Sequence, residues 1–447
     1  MNDLIVVGGG ITGLSAAYLA ARTGVKVTVV EASPTLGGLL ATFPIAGNRL
    51  EWFYHHSFTH DAELTWLLRE LNIEGCLEFH TGSMGVFRDG HIYSFNGPRD
   101  LIGFRPMSLL DKARFGLTSL YLARLARWQS CESVPALDWF RRYAGPGAAE
   151  SLWEPLLAIK FGPYAGEIPL AWMVGRLRQR LNSRRGGKEK LGYVRGSLQV
   201  LLDALLASLR KLGARVLSHN PVQALQTSGA EITGLATGAG LLRAEAYLFT
   251  IPTTYLSELV APVSETYAAE LRQIRYFGAV CTILEMKRPL LPVYWLNIAD
   301  RGYPFGGLIE HTNLVSPGEY GGRHILYLSR YFAHSDPLAV QPVPVIRRIM
   351  MDGLKRACPH LHEQDVLDTK VFSSRTAALV SGLNFSQKVP ACRAPLKRMF
   401  VASMPHVYPD ERSCNNSIRV AAEACRVMGI PVSVPACSSL SGKINME

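Results

Sequence analysis

Apolar and polar positions in the first thirty residues predict a strand, a helix and a second strand. Leu4-Ile5-Val6-Val7 is a β-branched run with no polar face, the pattern of a strand buried on both sides in a parallel sheet. A glycine cluster from Gly8 to Gly13 ends it. Leu14 to Arg22, rich in Ala and Leu, predicts a helix stopped by Gly24, and Lys26-Val27-Thr28-Val29-Val30 predicts a strand ending at Glu31. Farther on, Leu64, Leu67, Leu68 and Leu71 mark one face of a helix. An amphipathic stretch from Gln199 to Lys211 leads through Gly213 to a strand at Ala214-Arg215-Val216-Leu217. Strands are also predicted at Ala246–Ile251 and Arg398–Ala402, and a helix from Asn415 to Val427. Between these segments, residues 90–190 read as largely helical and 271–369 as strands and turns. The Ser- and Pro-rich end, 431–447, reads as a disordered tail.

The composition is that of a folded enzyme-sized chain. Its 447 residues are 48% hydrophobic and 19% charged, with 40 glycines, which excludes a disulfide mini-scaffold and a disordered chain. The excess of 47 Lys and Arg over 36 Asp and Glu, net +11, attracts something anionic. With no basic tail, zinc-finger spacing or aromatic-basic motif, nucleic acid is not the expected partner. A small-molecule substrate, hydrophobic or phosphate-bearing, and peripheral contact with an anionic membrane are the expected ones. Leu101 to Trp128 interleaves apolar residues with Lys112, Arg114, Arg124 and Arg127, as either a membrane-touching surface or an ordinary helix face would. The eight cysteines are scattered, with no C-x-x-C pair and no secretory leader pattern ahead of them, so the expectation is reduced thiols in the cytoplasm. The uncharged run Leu4–Ala21 is long enough to be mistaken for a membrane span, but its glycines have another explanation.

Gly8-Gly9-Gly10-Ile11-Thr12-Gly13 is a G-x-G-x-x-G between strand and helix. Gly8 permits the tight turn, Gly10 lets backbone approach a pyrophosphate, and Gly13 lets the helix pack on the sheet, with the helix N-terminus facing the phosphates. Glu31, at the end of the second strand, is placed to accept hydrogen bonds from ribose hydroxyls. Ala32-Ser33-Pro34-Thr35-Leu36-Gly37-Gly38-Leu39 follows, and the Gly-Gly pair there resembles the two-dinucleotide-binding-motif flavoproteins of the flavin amine oxidase superfamily. That resemblance implies FAD, although Pro34 and Thr35 replace the superfamily's usual arginine. It also implies that Val222 meets the adenine through its backbone, that Pro252 lies beside the cofactor, and that the helix N-terminus at Asn415, Asn416 and Ser417 approaches the flavin ring. Ser413 and Cys414 stand there where a glycine is commoner. The implied fold is α/β: a Rossmann-like FAD-binding domain assembled from discontinuous segments (1–90, 191–270 and 370–430) with an α+β substrate domain (91–190 and 271–369).

Candidate chemistry lies outside the glycine motif. Glu51-Trp52-Phe53-Tyr54-His55-His56 precedes a helix, and the resemblance makes His55 or His56 a polar group near the flavin; a pair of structural histidines is the other reading. His56 and His60 have i, i+4 spacing, but no helix or third ligand accompanies them, and no metal is expected. Trp295, Asn297, Glu310, His311, Asn313, Tyr327 and Tyr331 fall on successive strand-like segments that would roof a pocket, Glu310 and His311 as catalytic candidates and the others as substrate contacts. With Lys160 in Trp153–Gly162, these segments resemble the protoporphyrinogen oxidase-like branch of the superfamily. The cationic run Arg176, Arg178, Arg180, Arg184, Arg185, Lys188, Lys190 holds a phosphate or lipid headgroup, or is a solvated loop.

The leading expectation is an FAD-dependent oxidoreductase that takes a hydride from an organic substrate onto flavin N5 and passes the electrons to oxygen, a quinone or another acceptor. A second is a flavin-dependent sugar-nucleotide mutase, since Tyr54-His55-His56-Ser57-Phe58-Thr59-His60 is similar to the histidine-bearing segment of UDP-galactopyranose mutase. A third is a non-catalytic flavoprotein subunit of a biosynthetic assembly.

Overall fold

The computed structural model describes residues 2–435. Five parallel strands form the first sheet in the order Arg215–Leu217, Val27–Val30, Asn2–Val7, Ala244–Phe249, Met399–Val401. Val6 thus pairs with Val29 on one side and Leu248 on the other. Val27–Val30 is buried throughout, as a parallel strand covered on both faces requires. One face is covered by the helix Ile11–Ala21, sandwiched with Gln199–Lys211 and Cys414–Val427 around Ala16, Ala17, Leu205 and Ala421.

The second domain is built on seven strands ordered Val366–Leu379, Tyr276–Met286, His324–Phe332, Gly307–Glu310, Trp295–Ile298, Met84–Arg88, His91–Ser94. Alternation along His324–Phe332 divides its neighbours: Leu326 and Leu328 pack with the helix Val343–Ala357, while Ile325 and Tyr327 face Phe43, Leu50 and Phe53 on the other side. A helical layer including Leu109–Arg124 and Leu170–Asn182 has its own core around Phe140, Trp153 and Phe161.

Pairing moves the expected domain boundaries. The hairpin 84–94 joins the seven-stranded sheet through Trp295–Ile298, so the second domain begins before residue 91. Val366–Leu379 pairs along Tyr276–Met286, carrying the sheet past 369. Lys188–Val194 is one strand across the boundary drawn at 190. Long-range pairing partners, absent from local periodicity, set all three. At the C-terminal end, Val434 is buried against the core of the five-stranded sheet, past the boundary at 430; the rest of the expected tail, 436–447, lies outside the described residues. The cationic run is not a solvated loop throughout: Arg178 donates to the carbonyls of Ala123 and Ala126, and Arg180 pairs with Glu189 at 3.0 Å. No described helix is long and apolar enough to cross a membrane.

Candidate active site

A cleft of about 760 Å³ opens at the carboxyl ends of the central parallel strands, where Val7, Val30 and Phe249 hand over to Gly8, Glu31 and Thr250. Gly8 has φ +115°, a conformation that favours glycine. A Cβ on Gly13 would stand 2.0 Å from the Gly8 carbonyl oxygen, so the helix packs directly on the turn. Gly13 therefore supports the cleft without lining it. A Cβ on Gly10 would meet nothing within 4 Å, because that face opens into the cleft, followed by Ile11 and Thr12 of the uncapped helix N-terminus.

The second glycine pair locks the first: Gly37 N–H donates to the Gly9 carbonyl at 2.8 Å, with Gly38 and Leu39 continuing the wall. The Glu31 carboxylate accepts from Gly9 N–H at 2.6 Å and Ser33 N–H at 2.7 Å and remains on the cleft wall. Val222 and Pro252 line the same cleft. These residues fit a dinucleotide, with open backbone at Gly10 and a free helix N-terminus for phosphate and a carboxylate for ribose.

At the far end stand Trp52, His55, Arg412, Ser413, Cys414 and Ser417. Asn415 and Asn416, expected on this wall, point away from it. The helix begins at Cys414, one residue earlier than the sequence pattern places it, so 414 and 417 share the cleft face while 415 and 416 turn behind. Asn415 accepts from Leu64 N–H at 3.0 Å, and Asn416 donates to the Glu411 carbonyl at 2.7 Å.

Charge gathers at and behind this end: Arg412 lines the cleft, while Lys160 and Glu411 line a small pocket that shares Arg412 with it. Arg412 donates to the Tyr331 hydroxyl at 2.7 Å, and its Nε is buried with no hydrogen-bond partner among the described residues. Lys160 is ion-paired with Glu411 and lies over the Trp172 ring, 4.5 Å from its centroid. Burial, with Arg176 and Arg412 nearby, brings the Lys160 ammonium down to about 8 against the pull of Glu411. Burial alone would raise the Glu411 carboxyl, but Lys160, Arg176 and Arg412 outweigh it and hold it below the usual range. Of these four only Arg412 lines the cleft; Arg176 and Lys160 against Glu411 leave excess positive charge just behind it.

His55 Nδ1 lies 2.5 Å from the Phe53 carbonyl, which only accepts, so Nδ1 carries the proton and Nε2 is left as an acceptor. Burial and Arg412 bring His55 down to about 4, keeping it neutral. Tyr54, edge-on to Trp295 at 4.8 Å, is held well above the usual tyrosine range by burial.

Other candidates are built into the sheet instead. Glu310 Oε2 accepts from Leu290 N–H and Leu291 N–H at 3.0 and 3.2 Å, and His311 Nε2 is 2.7 Å from the Tyr320 hydroxyl. Asn313 donates to the carbonyls of Leu291 and Val293. The Tyr327 hydroxyl donates to the Glu51 carbonyl, and Trp295 Nε1 donates to Asn297. His56 lies among Phe58, Tyr294 and Trp295, off the cleft wall. These polar side chains face an interior already furnished with partners. Arg412, Glu411 and Tyr54 were the residues sequence reasoning passed over: the first two fall in a segment read only as a turn.

A second cavity of about 600 Å³ lies behind the 410–417 segment, lined by His60, Asp61, Arg178, Asp410, Asn415 and Asn416 among others. Leu125, Ala126, Arg127 and Trp128 line it as well.

Residues 11–405 match the family model of flavin-containing amine oxidoreductases. A stretch of 41 residues, 9% of this chain, is 58% identical to an L-amino-acid oxidase of Echis ocellatus but spans only 8% of it. Other curated relatives are matched over 18% and 13% of their lengths. The fold is similar to that of an Exiguobacterium protein described as a protoporphyrinogen oxidase (TM-score 0.77, 17% identity, 96% of this chain and 98% of that one). It is likewise similar to reduced UDP-galactopyranose mutase (0.74, 15%, 99% and 98%). By the family match over most of its length, the chain belongs to the flavin-containing amine oxidoreductase family.

Proposed function

We propose that this chain is an oxidoreductase that holds FAD in the 760 Å³ cleft and oxidises an organic substrate bearing an acidic group. The carrying observation is Arg412 on the cleft lining, with the Lys160–Glu411 pair and Arg176 close behind it, so that three cations meet one carboxylate at this end. An anionic group at this end of the cleft meets the Arg412 guanidinium in a charge-assisted hydrogen bond. The flavin, when bound, supplies the redox chemistry by accepting a hydride at N5. Arg412 fixes the anionic end of the substrate, Lys160 behind it adds positive charge, and Tyr331 holds the Arg412 guanidinium in place. Neutral His55 offers an acceptor at Nε2 for a substrate proton. Trp52, with Leu39 and Leu40, gives the cleft an apolar lining that excludes water.

The purified protein is expected to be yellow, to release FAD on denaturation, to bleach with dithionite and to recover in air. A colourless protein that takes up no added FAD overturns the reading. Benzoate and benzylamine share a ring and differ in charge; benzoate is expected to perturb the flavin spectrum, and Arg412→Met to remove that effect. A response to benzylamine alone refutes the acidic-substrate assignment. The mutase reading rests on the same cationic wall, which also suits a diphosphate. It is favoured if no substrate-driven bleaching occurs anaerobically but UDP perturbs the spectrum.

A further inference from the structure

The helix Leu109–Arg124 is oriented against the usual rule. Its buried face holds Phe115, Leu122 and Ala123, as a helix packed on a core should. Its outer face is apolar as well: Leu109, Leu110, Leu117 and Leu120, with Leu125 just beyond, are between 55% and 78% exposed, and Tyr121 joins them. The spacing 109, 110, 113, 117, 120, 121 keeps these positions on one side through four turns. Ile102 adds to the patch from the preceding helix Pro98–Gly103, whose carbonyl at Ile102 accepts from Lys112 at 2.7 Å. A contiguous exposed leucine ridge of this length marks an interaction surface.

We propose that this ridge docks the protein onto a bilayer containing anionic phospholipid. Charge identifies the occupant. Residues 98–128 hold six basic side chains and two acidic ones. Both acids are engaged locally, Asp111 with the helix cap Ser108 and Asp100 with Asn96 N–H. Arg105, Arg124 and Arg127 are exposed around the leucines. Cations flanking a row of leucines match phosphate headgroups above acyl chains. In a symmetric contact between two copies the same cations would face each other, which opposes self-association there.

The rim supplies a second argument. Tyr121 stacks on Trp139 with ring centroids 6.2 Å apart, Trp139 contacts Tyr143 at 5.0 Å, and the Arg142 guanidinium lies over the Tyr143 ring at 5.5 Å. Tyrosine and tryptophan with arginine at the edge of an apolar surface are the side chains that favour the headgroup level, where one end is wet and the other is not. Leu125, at the end of the ridge, also lines the second cavity, so docking brings that cavity beside the lipid surface. The docking depends on neither FAD nor the substrate assignment, and its test involves no catalysis.

The test is cosedimentation of the holoprotein with vesicles of phosphatidylcholine alone, or with one third phosphatidylglycerol. Wild type is expected to pellet with the anionic vesicles at least tenfold more strongly than with the neutral ones, and to be released as salt rises. The double variant Leu110→Glu/Leu117→Glu is expected to lose at least tenfold in binding while keeping the thermal midpoint and flavin spectrum of wild type. Arg105→Glu/Arg124→Glu is expected to lose the preference for anionic lipid. On wild type itself, hydrogen exchange of 109–125 is expected to slow when anionic vesicles are present, a readout that needs no variant. Wild type remaining in the supernatant with both vesicles overturns the proposal. So does a leucine variant that pellets like wild type, or a wild-type dimer that the leucine variant dissociates, which would assign the ridge to a second copy.

Discussion

Gly10 and Gly13 are three residues apart in one motif, yet the structure predicts opposite consequences for a single added methyl group. Gly10 sits at φ −76°, ψ 176°, extended backbone that any residue adopts, and its Cβ would meet nothing within 4 Å. Gly10→Ala is therefore expected to cost the apoprotein no more than about 1 kcal/mol, the scale of a weakened N-cap. The methyl projects into the cleft, where the proposed FAD would bring its pyrophosphate close to the backbone. An overpacking cost of about 1–3 kcal/mol there corresponds to FAD affinity weakened about 5- to 150-fold. In Gly13→Ala the methyl would lie 2.0 Å from the Gly8 carbonyl oxygen and 2.8 Å from Thr250 Oγ1, so helix and strand must separate whether or not FAD is present. The apoproteins would be compared by thermal unfolding, and FAD titrated into each by flavin fluorescence. The expected pattern is an unchanged midpoint with weakened binding for Gly10→Ala, and a lowered apoprotein midpoint for Gly13→Ala. FAD affinity within twofold of wild type in Gly10→Ala refutes the placement of the pyrophosphate. An unchanged midpoint in Gly13→Ala refutes the close helix-strand packing.

Three further outcomes are expected. Glu51, fully buried, accepts from Tyr193 OH at 2.8 Å and Leu198 N–H at 2.6 Å; Glu51→Leu strands both donors and is expected to cost about 2–6 kcal/mol in denaturant unfolding, with Glu51→Gln recovering most of it. Burial lifts the Glu310 carboxyl from 4.5 to about 7, so the folded state holds a proton that the unfolded chain releases and stability falls as pH rises from 4.5 to 7. Glu310→Gln, which cannot ionise, is expected to flatten that part of the midpoint-against-pH curve, and an unchanged slope counts against it. With Lys160 titrating near 8, benzoate affinity is expected to fall as pH rises through 8 in wild type, and Lys160→Met to bind weakly without that limb.

The nucleotide cleft was legible in the sequence because its signals are local: Gly8, Gly10 and Gly13 act within one turn, and Glu31 ends the adjacent strand. The far wall was not, because it depends on helix phase. Starting the helix at Cys414 instead of Asn415 is a one-residue change that exchanges Asn415 and Asn416 for Ser413 and Cys414. Glu310 and His311 show the opposite error: polar residues on a strand next to aromatics read as pocket lining, but Gly307–Glu310 is an interior strand whose neighbours satisfy them. The leucine ridge was half visible, since apolar residues interleaved with cations fit both an inward and an outward face. Only the burial of Phe115 and Leu122 shows which leucines are left outside.

The interleaved connectivity of the parallel sheet has a consequence for synthesis. Strand Asn2–Val7 finds its first partner within thirty residues, but its other edge waits for Ala244–Phe249, which in turn pairs with Met399–Val401. At a ribosomal rate of about 5–20 residues per second, the nascent β-branched edge at Ile5 and Val7 stays open for roughly 10–50 seconds. Such an edge is a template for mispairing, and closing so long a loop is slow. The Ala-rich face of Ile11–Ala21 stays uncovered longer still, until Cys414–Val427 leaves the exit tunnel. Chaperone demand during translation, and intolerance of C-terminal truncation before Val427, are thus written into the strand order.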